Sequence, residues 1–237
     1  GKANKENMMK RTQLPIRGYL LHITHYDPVW NKNKDKEKPF DLKLGLDIID
    51  AVAAAGLNLL IVDVKDGAIY RSHPELARHY SRPIAILTKL RERAEARGLE
   101  LAIKLNFSQS QLHQHNHWFR PHNDLFDTKA YWQKAFEVID ELISVLKPKR
   151  FFHIGMDEDH DRSYTQYAEA IKTLHAGLKK RKLRTIIWND TPIGYAPGMI
   201  HHEKSLTAEK AISKEIVHVV WRYDGLPTES LRRVAKA

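Results

Sequence analysis

The chain has no cysteine among its 237 residues. Disulfides, thiol catalysis and Cys-ligated zinc are thereby excluded. The compartment is not settled by this, because exported proteins also occur without cysteine. No apolar run approaches the roughly 20 residues of a membrane-spanning helix, so no membrane partner is expected. Neither Gly-x-Gly-x-x-Gly nor Gly-x-x-x-x-Gly-Lys-Ser/Thr occurs, and dinucleotide and P-loop readings lose their support. Acid is in deficit: 29 Asp and Glu stand against 39 Lys and Arg, a net charge of +10. That surplus favours an anionic partner and says nothing about fold. What is present, 42% hydrophobic and 29% charged residues, is an ordinary globular balance. The length suits one large domain or two small ones.

Residues 1–15 are lysine-rich and without periodicity, and read as a flexible basic arm; residues 16–237 read as one domain. Such arms are usually solvated, so no nucleic acid is expected as a partner. No signal-peptide core is visible. After Arg17, short apolar runs alternate with longer amphipathic ones. The short runs predict strands at Tyr19–Thr24, Asn58–Val64, Leu99–Leu105, Phe151–Ile154, Thr185–Trp188 and Val217–Trp221. The long ones predict helices at Leu42–Ala55, Ile84–Arg97, Lys129–Leu146 and Tyr164–Arg181, a short one near Leu206–Ser213, and a last from Thr228. Gly56, Gly98 and Pro148 mark helix stops.

Strand–helix alternation implies parallel strands with right-handed crossovers, in an open doubly wound sheet or a (β/α)8 barrel. Nearly every strand runs into a polar or aromatic cluster at its C-terminal end. These clusters are His25-Tyr26-Asp27, Asp63-Lys65-Asp66, Asn106-Ser108, Asp157-Glu158, Trp188-Asn189-Asp190 and Trp221-Tyr223-Asp224. A barrel gathers all such ends at one mouth, whereas an open sheet uses mainly those at its switch point. The expected class is therefore an α/β TIM-type barrel. Only six units are found, and a full barrel takes about 250 residues. The barrel is expected to be incomplete, or completed by further sequence or a partner chain in an oligomer.

The strongest local signal is the apolar run from Phe151 that ends in the adjacent carboxylates Asp157 and Glu158. Adjacent acids repel, and burial raises the pKa of at least one, as a general acid near neutral pH requires. A solvated acidic loop capping the next helix is the plainer alternative. The loop Ser108–Asp127 holds His113, His115, His117 and His122 with Trp118 and Phe119 between them. On an extended segment, His113, His115 and His117 would share one side and, with Asp157 or Glu158, could hold zinc. The other reading is a hydrogen-bonding loop over the mouth, with Asn116 and Trp118 able to contact a sugar. His201 and His202 read as exposed. No Gly-x-Ser-x-Gly elbow surrounds Ser108 or Ser110. Lys65 and Lys104 are better explained by salt bridges to Asp63 or Asp66 than by Schiff-base chemistry.

His153-Ile154-Gly155-Met156-Asp157-Glu158 resembles the His-x-Gly-Gly-Asp-Glu signature of family 20 glycoside hydrolases, the β-N-acetylhexosaminidases, with Met156 at the second glycine. Arg17-Gly18, Asn58-x-Leu60 continuing to Asp66, Trp188 and Trp221 fall in that family's order. The resemblance implies Glu158 as general acid/base and Asp157 as the residue orienting a substrate 2-acetamido group. The acetamide would be the nucleophile, with net retention, the substrate-assisted exception to the two-carboxylate rule. It implies no cofactor and no metal. It makes His22, His25, Asp63, Asp66, Lys104, Asn106, His117, Trp118, His153, Trp188, Asn189 and Trp221 candidates to contact substrate. Where the family carries an aspartate and an arginine on its first strand, and a Glu and an Asp on its third, this chain has His22, His25, Lys104 and Asn106. The second-strand His is Ile61. The mouth has thus lost negative charge, and a sulfated or uronic-acid-containing glycan is the expected substrate. The family's late tyrosine and tryptophan have no counterpart after Trp221, which makes a carbohydrate-binding barrel without turnover the competing reading. A secreted or periplasmic location follows from the resemblance alone.

Overall fold

The computed structural model describes residues 14–25, 32–193 and 200–236. Most of the expected basic arm, and Tyr26 and Asp27 of the first strand-end cluster, lie outside the described residues. Six strands form one sheet: β1 (Gly18–His22), β2 (Leu59–Asp63), β3 (Glu100–Lys104), β4 (Phe151–His153), β5 (Arg184–Asn189) and β6 (Val217–Val220). All pairings are parallel, and the spatial order is the order in the chain. Strand order never reverses, so the sheet has no switch point and every crossover steps the same way. That is the winding of a barrel. The six strands curl into half of one. β1 and β6 are its open edges.

Six helices accompany the strands: α1 (Leu42–Ala54), α2 (Ala85–Ala96), α3 (Lys129–Leu146), α4 (Tyr164–Lys180), α5 (Ile200–Glu209) and α6 (Thr228–Ala235). Their starts follow from capping side chains. Asp41 accepts from Leu44 N–H, Thr128 from Tyr131 N–H, and Ser163 forms a reciprocal capping box with Gln166. Among the described residues no helix is long and apolar enough to cross a membrane. α5 begins six residues before the short helix expected near Leu206, and an unexpected two-residue parallel pair, Ala68–Ile69 with Arg82–Pro83, follows β2.

Side chains alternate between the two faces of each strand. One face, carrying Leu21, Leu60, Val62, Leu101, Ile103, Phe152 and Ile187, is buried under the helices in the main core. The opposite, concave face holds a smaller cluster of Leu59, Ala102, Phe151 and Ile186, flanked by half-buried Ile61, Val217 and Val219. At the C-terminal end of this concave face the register aligns His22, Asp63, Lys104 and His153 across β1 to β4. A polar row thus tops an apolar floor.

Candidate active site

Beyond β4 the backbone makes an unusual turn. Gly155, Met156 and Glu158 all have positive φ, at 72°, 74° and 51°. Such values are costly for side-chain-bearing residues and persist only where the surroundings hold them. Here the surroundings do. Asn106 Oδ1 accepts from Met156 N–H (3.1 Å) and Ser108 N–H (3.0 Å), and Asn106 Nδ2 donates to Asp157 Oδ1 (2.6 Å). Trp188 N–H donates to the Gly155 carbonyl, Tyr167 hydroxyl to that of Met156, and Glu158 N–H to Asp190 Oδ2 (2.8 Å). Gly155 is required: a Cβ there would run into the Asn106 side chain and lie 2.8 Å from Asn106 Cα. Met156 is different. Its left-handed backbone costs about 1–2 kcal/mol, but its side chain is fully buried, which contributes about 1.5–3 kcal/mol. Burial outweighs strain, which explains how methionine stands where a glycine would sit more easily.

The turn presents Asp157 and Glu158 with side chains 17% and 19% exposed. They are neither in bulk water nor sealed. His113 Nε2 lies 3.0 Å from Glu158 Oε2, and His115 Nε2 lies 3.2 Å from Glu158 Oε1 and 3.4 Å from Asp157 Oδ2. The rings of His113 and His115 stack, and His160 stacks on the far side of His113. The loop after β3 is tied down to make this possible. Gln109 and Gln111 N–H groups donate to Asp159 and Asp161, while His160 and Asp161 N–H groups donate back to the Gln109 carbonyl. Beneath it, fully buried Arg162 holds Asp127 with two hydrogen bonds, and Asp159 and the Phe107 carbonyl with a third nitrogen. Lys204 of α5 closes the group on Asp159.

Asp157 is not a carboxyl whose pKa burial has raised. Burial works to raise Asp157, but the charges of His115 and Lys104 and the Asn106 hydrogen bond outweigh it and hold Asp157 below its ordinary range. The raised carboxyl is Asp190, pushed well up by burial and then by the negative charge of Asp157. Asp190 also accepts from Trp221 Nε1 at 2.7 Å. Asp190 therefore positions both the Glu158 backbone and the Trp221 indole. His153, beneath the turn, is held down at about 3 by burial and by Lys104. Its Nδ1 accepts from Gly155 N–H, leaving Nε2 with the proton and no hydrogen-bond partner among the described residues.

Of the residues expected to contact substrate, Asn106, His153, Trp188 and Trp221 gather around the acids; Trp188 packs on the His153 ring at 4.6 Å. Lys104 and Asp63 join them in the polar row but are committed to each other at 2.8 Å, both side chains buried. Burial opposes the charge on Asp63, yet Lys104, Lys65 and His22 hold it well below its ordinary value. His22 lies 2.9 Å from the same oxygen, Asp63 Oδ2. His22 and His25 also line a cavity of about 810 Å³ between β1 and α1, a place apart from Asp157 and Glu158. Asp66 is buried in the turn after β2, where it accepts from the Tyr80 hydroxyl. His117 lies in a 3-10 segment, His117–Leu125, and not on an extended strand.

Two expectations need correction. Trp118 is 1% exposed and offers no face to a sugar: it packs in the main core against Phe107, and its Nε1 donates to the Asn106 carbonyl. Asn189 follows Trp188 on β5, so alternation turns it to the helix side. There it donates to Glu209 of α5 and accepts from Thr191. Sequence reasoning placed Asp190 in a strand-end cluster but chose Asn189 over it as a site residue. It put His113 and His115 near Asp157 or Glu158, as candidate zinc ligands or as part of a loop over the mouth, but did not single them out as partners of Glu158. The signal for Asp190 was the same alternation.

No family model matches this sequence, and no curated protein does. Solved structures match in fold. The β-N-acetylhexosaminidase from Streptomyces coelicolor A3(2) superposes with a TM-score of 0.67 at 17% identity, over 94% of this chain and 46% of that one. The one from Bacteroides fragilis gives 0.68 at 12%, over 94% and 48%. Dispersin B gives 0.55 at 20%, over 82% and 65%. The chain spans about half the length of the first two. The fold is thus that of family 20 β-N-acetylhexosaminidases, as the signature at His153 implied.

Proposed function

We propose that the chain is a glycoside hydrolase acting on N-acetylhexosaminides, with Glu158 as general acid/base and Asp157 as the group that orients the 2-acetamide. What carries the reading is the turn at 155–158. A strained, over-determined backbone delivers two adjacent carboxyls to the concave mouth, and the His113–His115 pair closes on one of them. Glu158 would protonate the glycosidic oxygen and then activate water, while the acetamide carbonyl attacks the anomeric carbon. Asp157, held ionised, suits stabilising the positive charge that develops on the acetamide. Two of the matched structures are named as β-N-acetylhexosaminidases, which supports the same substrate class here. The finer form of the proposal is an anionic glycan handled outside the cytoplasm. The loss of acids at His22, Lys104 and Asn106 supports it, whereas His25 in place of an arginine and the pairing of Lys104 with Asp63 each take one cation away from it.

The test is turnover of 4-nitrophenyl N-acetyl-β-glucosaminide and its 6-sulfate by wild type and Glu158→Gln. The reading expects a loss of about 10²–10⁴-fold in Glu158→Gln with sugar binding retained. Equal rates in the two proteins would overturn it. Binding without turnover in wild type would favour the carbohydrate-binding alternative. Faster cleavage of the neutral glycoside removes the anionic form alone. A second reading has one specific support: ligand atoms of His113, His115 and Glu158 lie within 4.8 Å of one another, so a metal-dependent hydrolase would use that group. Activity abolished by EDTA and restored by zinc would favour it.

A further inference from the structure

A second group of side chains converges where the turn after β2 meets the loop after β3. His73 and Glu75 belong to a one-turn 3-10 helix and its cap, His122 lies in the 3-10 segment His117–Leu125, and Glu137 is on α3. The His73 and His122 side chains are 5% and 8% exposed and meet edge-on, with ring centroids 5.4 Å apart at 77°. His73 Nδ1 and His122 Nε2 each lie 2.8 Å from Glu75 Oε1. One potential ligand atom from each of these three residues lies within 4.8 Å of the others. The far nitrogen of His73, Nε2, lies 2.7 Å from Glu137 Oε2.

Two features point to a cation between these groups. Among the described residues His122 Nε2 makes no hydrogen bond, although Glu75 is close enough; the contact is off the line along which an N–H would donate. A ligand of an ion shared with Glu75 stands in this way, its lone pair aimed past the neighbouring carboxylate; His73 Nδ1, by contrast, is in line with Glu75 Oε1. His73 lies between two carboxylates, which only accept, and a neutral imidazole has one N–H to give. An ion on Nδ1, like a second proton there, satisfies both sides and leaves the N–H on Nε2 for Glu137. The resulting carboxylate–histidine–metal chain fixes the ring and strengthens the ligand.

We propose that His73, Glu75 and His122 bind a divalent transition ion of the zinc type, with Glu137 orienting His73. Two imidazoles and one carboxylate suit zinc and not magnesium or calcium, which take oxygen donors. Glu75 is 42% exposed, so water can fill a fourth position. The ion fastens the 73–76 turn to the loop that carries His113 and His115, and through Glu137 to α3. It is a structural staple, independent of the reaction proposed above.

The test uses the full chain, stripped with EDTA and titrated with zinc chloride, with bound metal counted after dialysis. Zinc should bind and raise the Tm of wild type. His122→Ala and the half-exposed Glu75→Gln should each lose one equivalent with unchanged circular dichroism, and Glu137→Gln should weaken it about 10–100-fold. His115→Ala should keep it. Absence of zinc from wild type would overturn the proposal. So would loss of the equivalent in His115→Ala together with its retention in His122→Ala, since the ion would then sit at Glu158.

Discussion

The two faces of the sheet do different work. The helix side is closed and dry: Leu60, Val62, Ile103 and Phe152 have no accessible surface. The concave side has a narrow apolar floor, and above it a row of His22, Asp63, Lys104 and His153 that an ordinary core would not admit. A buried ion pair such as Lys104–Asp63 is weak evidence for stability, because desolvation offsets much of the attraction. The comparison teaches that the helix side stabilises the fold, which leaves the concave side able to carry charge and strain around Asp157 and Glu158.

The largest effect that could break this division is on the helix side. Phe152→Ala should cost about 3–5 kcal/mol of unfolding free energy, read by urea denaturation. A loss near 1 kcal/mol would mean that the outward core does not dominate.

His153 sharpens the comparison through pH. Its pKa of about 3 in the folded chain lies below the roughly 6.5 of an unfolded histidine. As pH falls from about 6.5, the unfolded chain gains a proton that the folded chain refuses, so stability drops by up to about 1.4 kcal/mol per pH unit. Asp190, raised by burial, acts with the opposite sign over part of this range, and His113, His122 and His218, all lowered by burial, act with the same sign. The informative quantity is therefore the difference between wild type and His153→Asn. The variant should show a flatter stability profile between pH 6.5 and 4.5, where most carboxylates remain ionised. Parallel profiles would mean that His153 takes up its proton in the folded chain. The smallest effect belongs to the concave floor: Val219→Ala, half-buried beside an open edge, should cost about 1 kcal/mol or less.

Much of the scaffold was legible in the sequence. The strand order could be anticipated because each apolar run is short, each helix amphipathic, and Asp41, Thr128 and Ser163 stand where caps are needed. Asp157 and Glu158 stood out because an apolar strand runs straight into them and the segment from His153 resembles the family 20 signature. What stayed hidden depends on which way a residue faces. Trp188 and Asn189 are neighbours in the chain, yet pleating sends them to opposite sides. Trp118 looked like a sugar platform because a loop assignment carries no information about depth, and this loop folds into 3-10 turns that bury it. The His73–Glu75–His122 group escaped notice because its members come from two loops nearly 50 residues apart and meet only after the barrel is wound.

The buried cluster of Arg162, Asp127, Asp159 and Lys204 has one more consequence. Dissolved ions screen charges that water reaches, such as Lys43 and Asp47 on α1, but they do not enter a site where Arg162 and Lys204 are almost wholly enclosed. The clasp that seats the histidines over Glu158 therefore keeps its strength in brine as in dilute buffer, and high ionic strength erodes the rim of the molecule while leaving its mouth in shape.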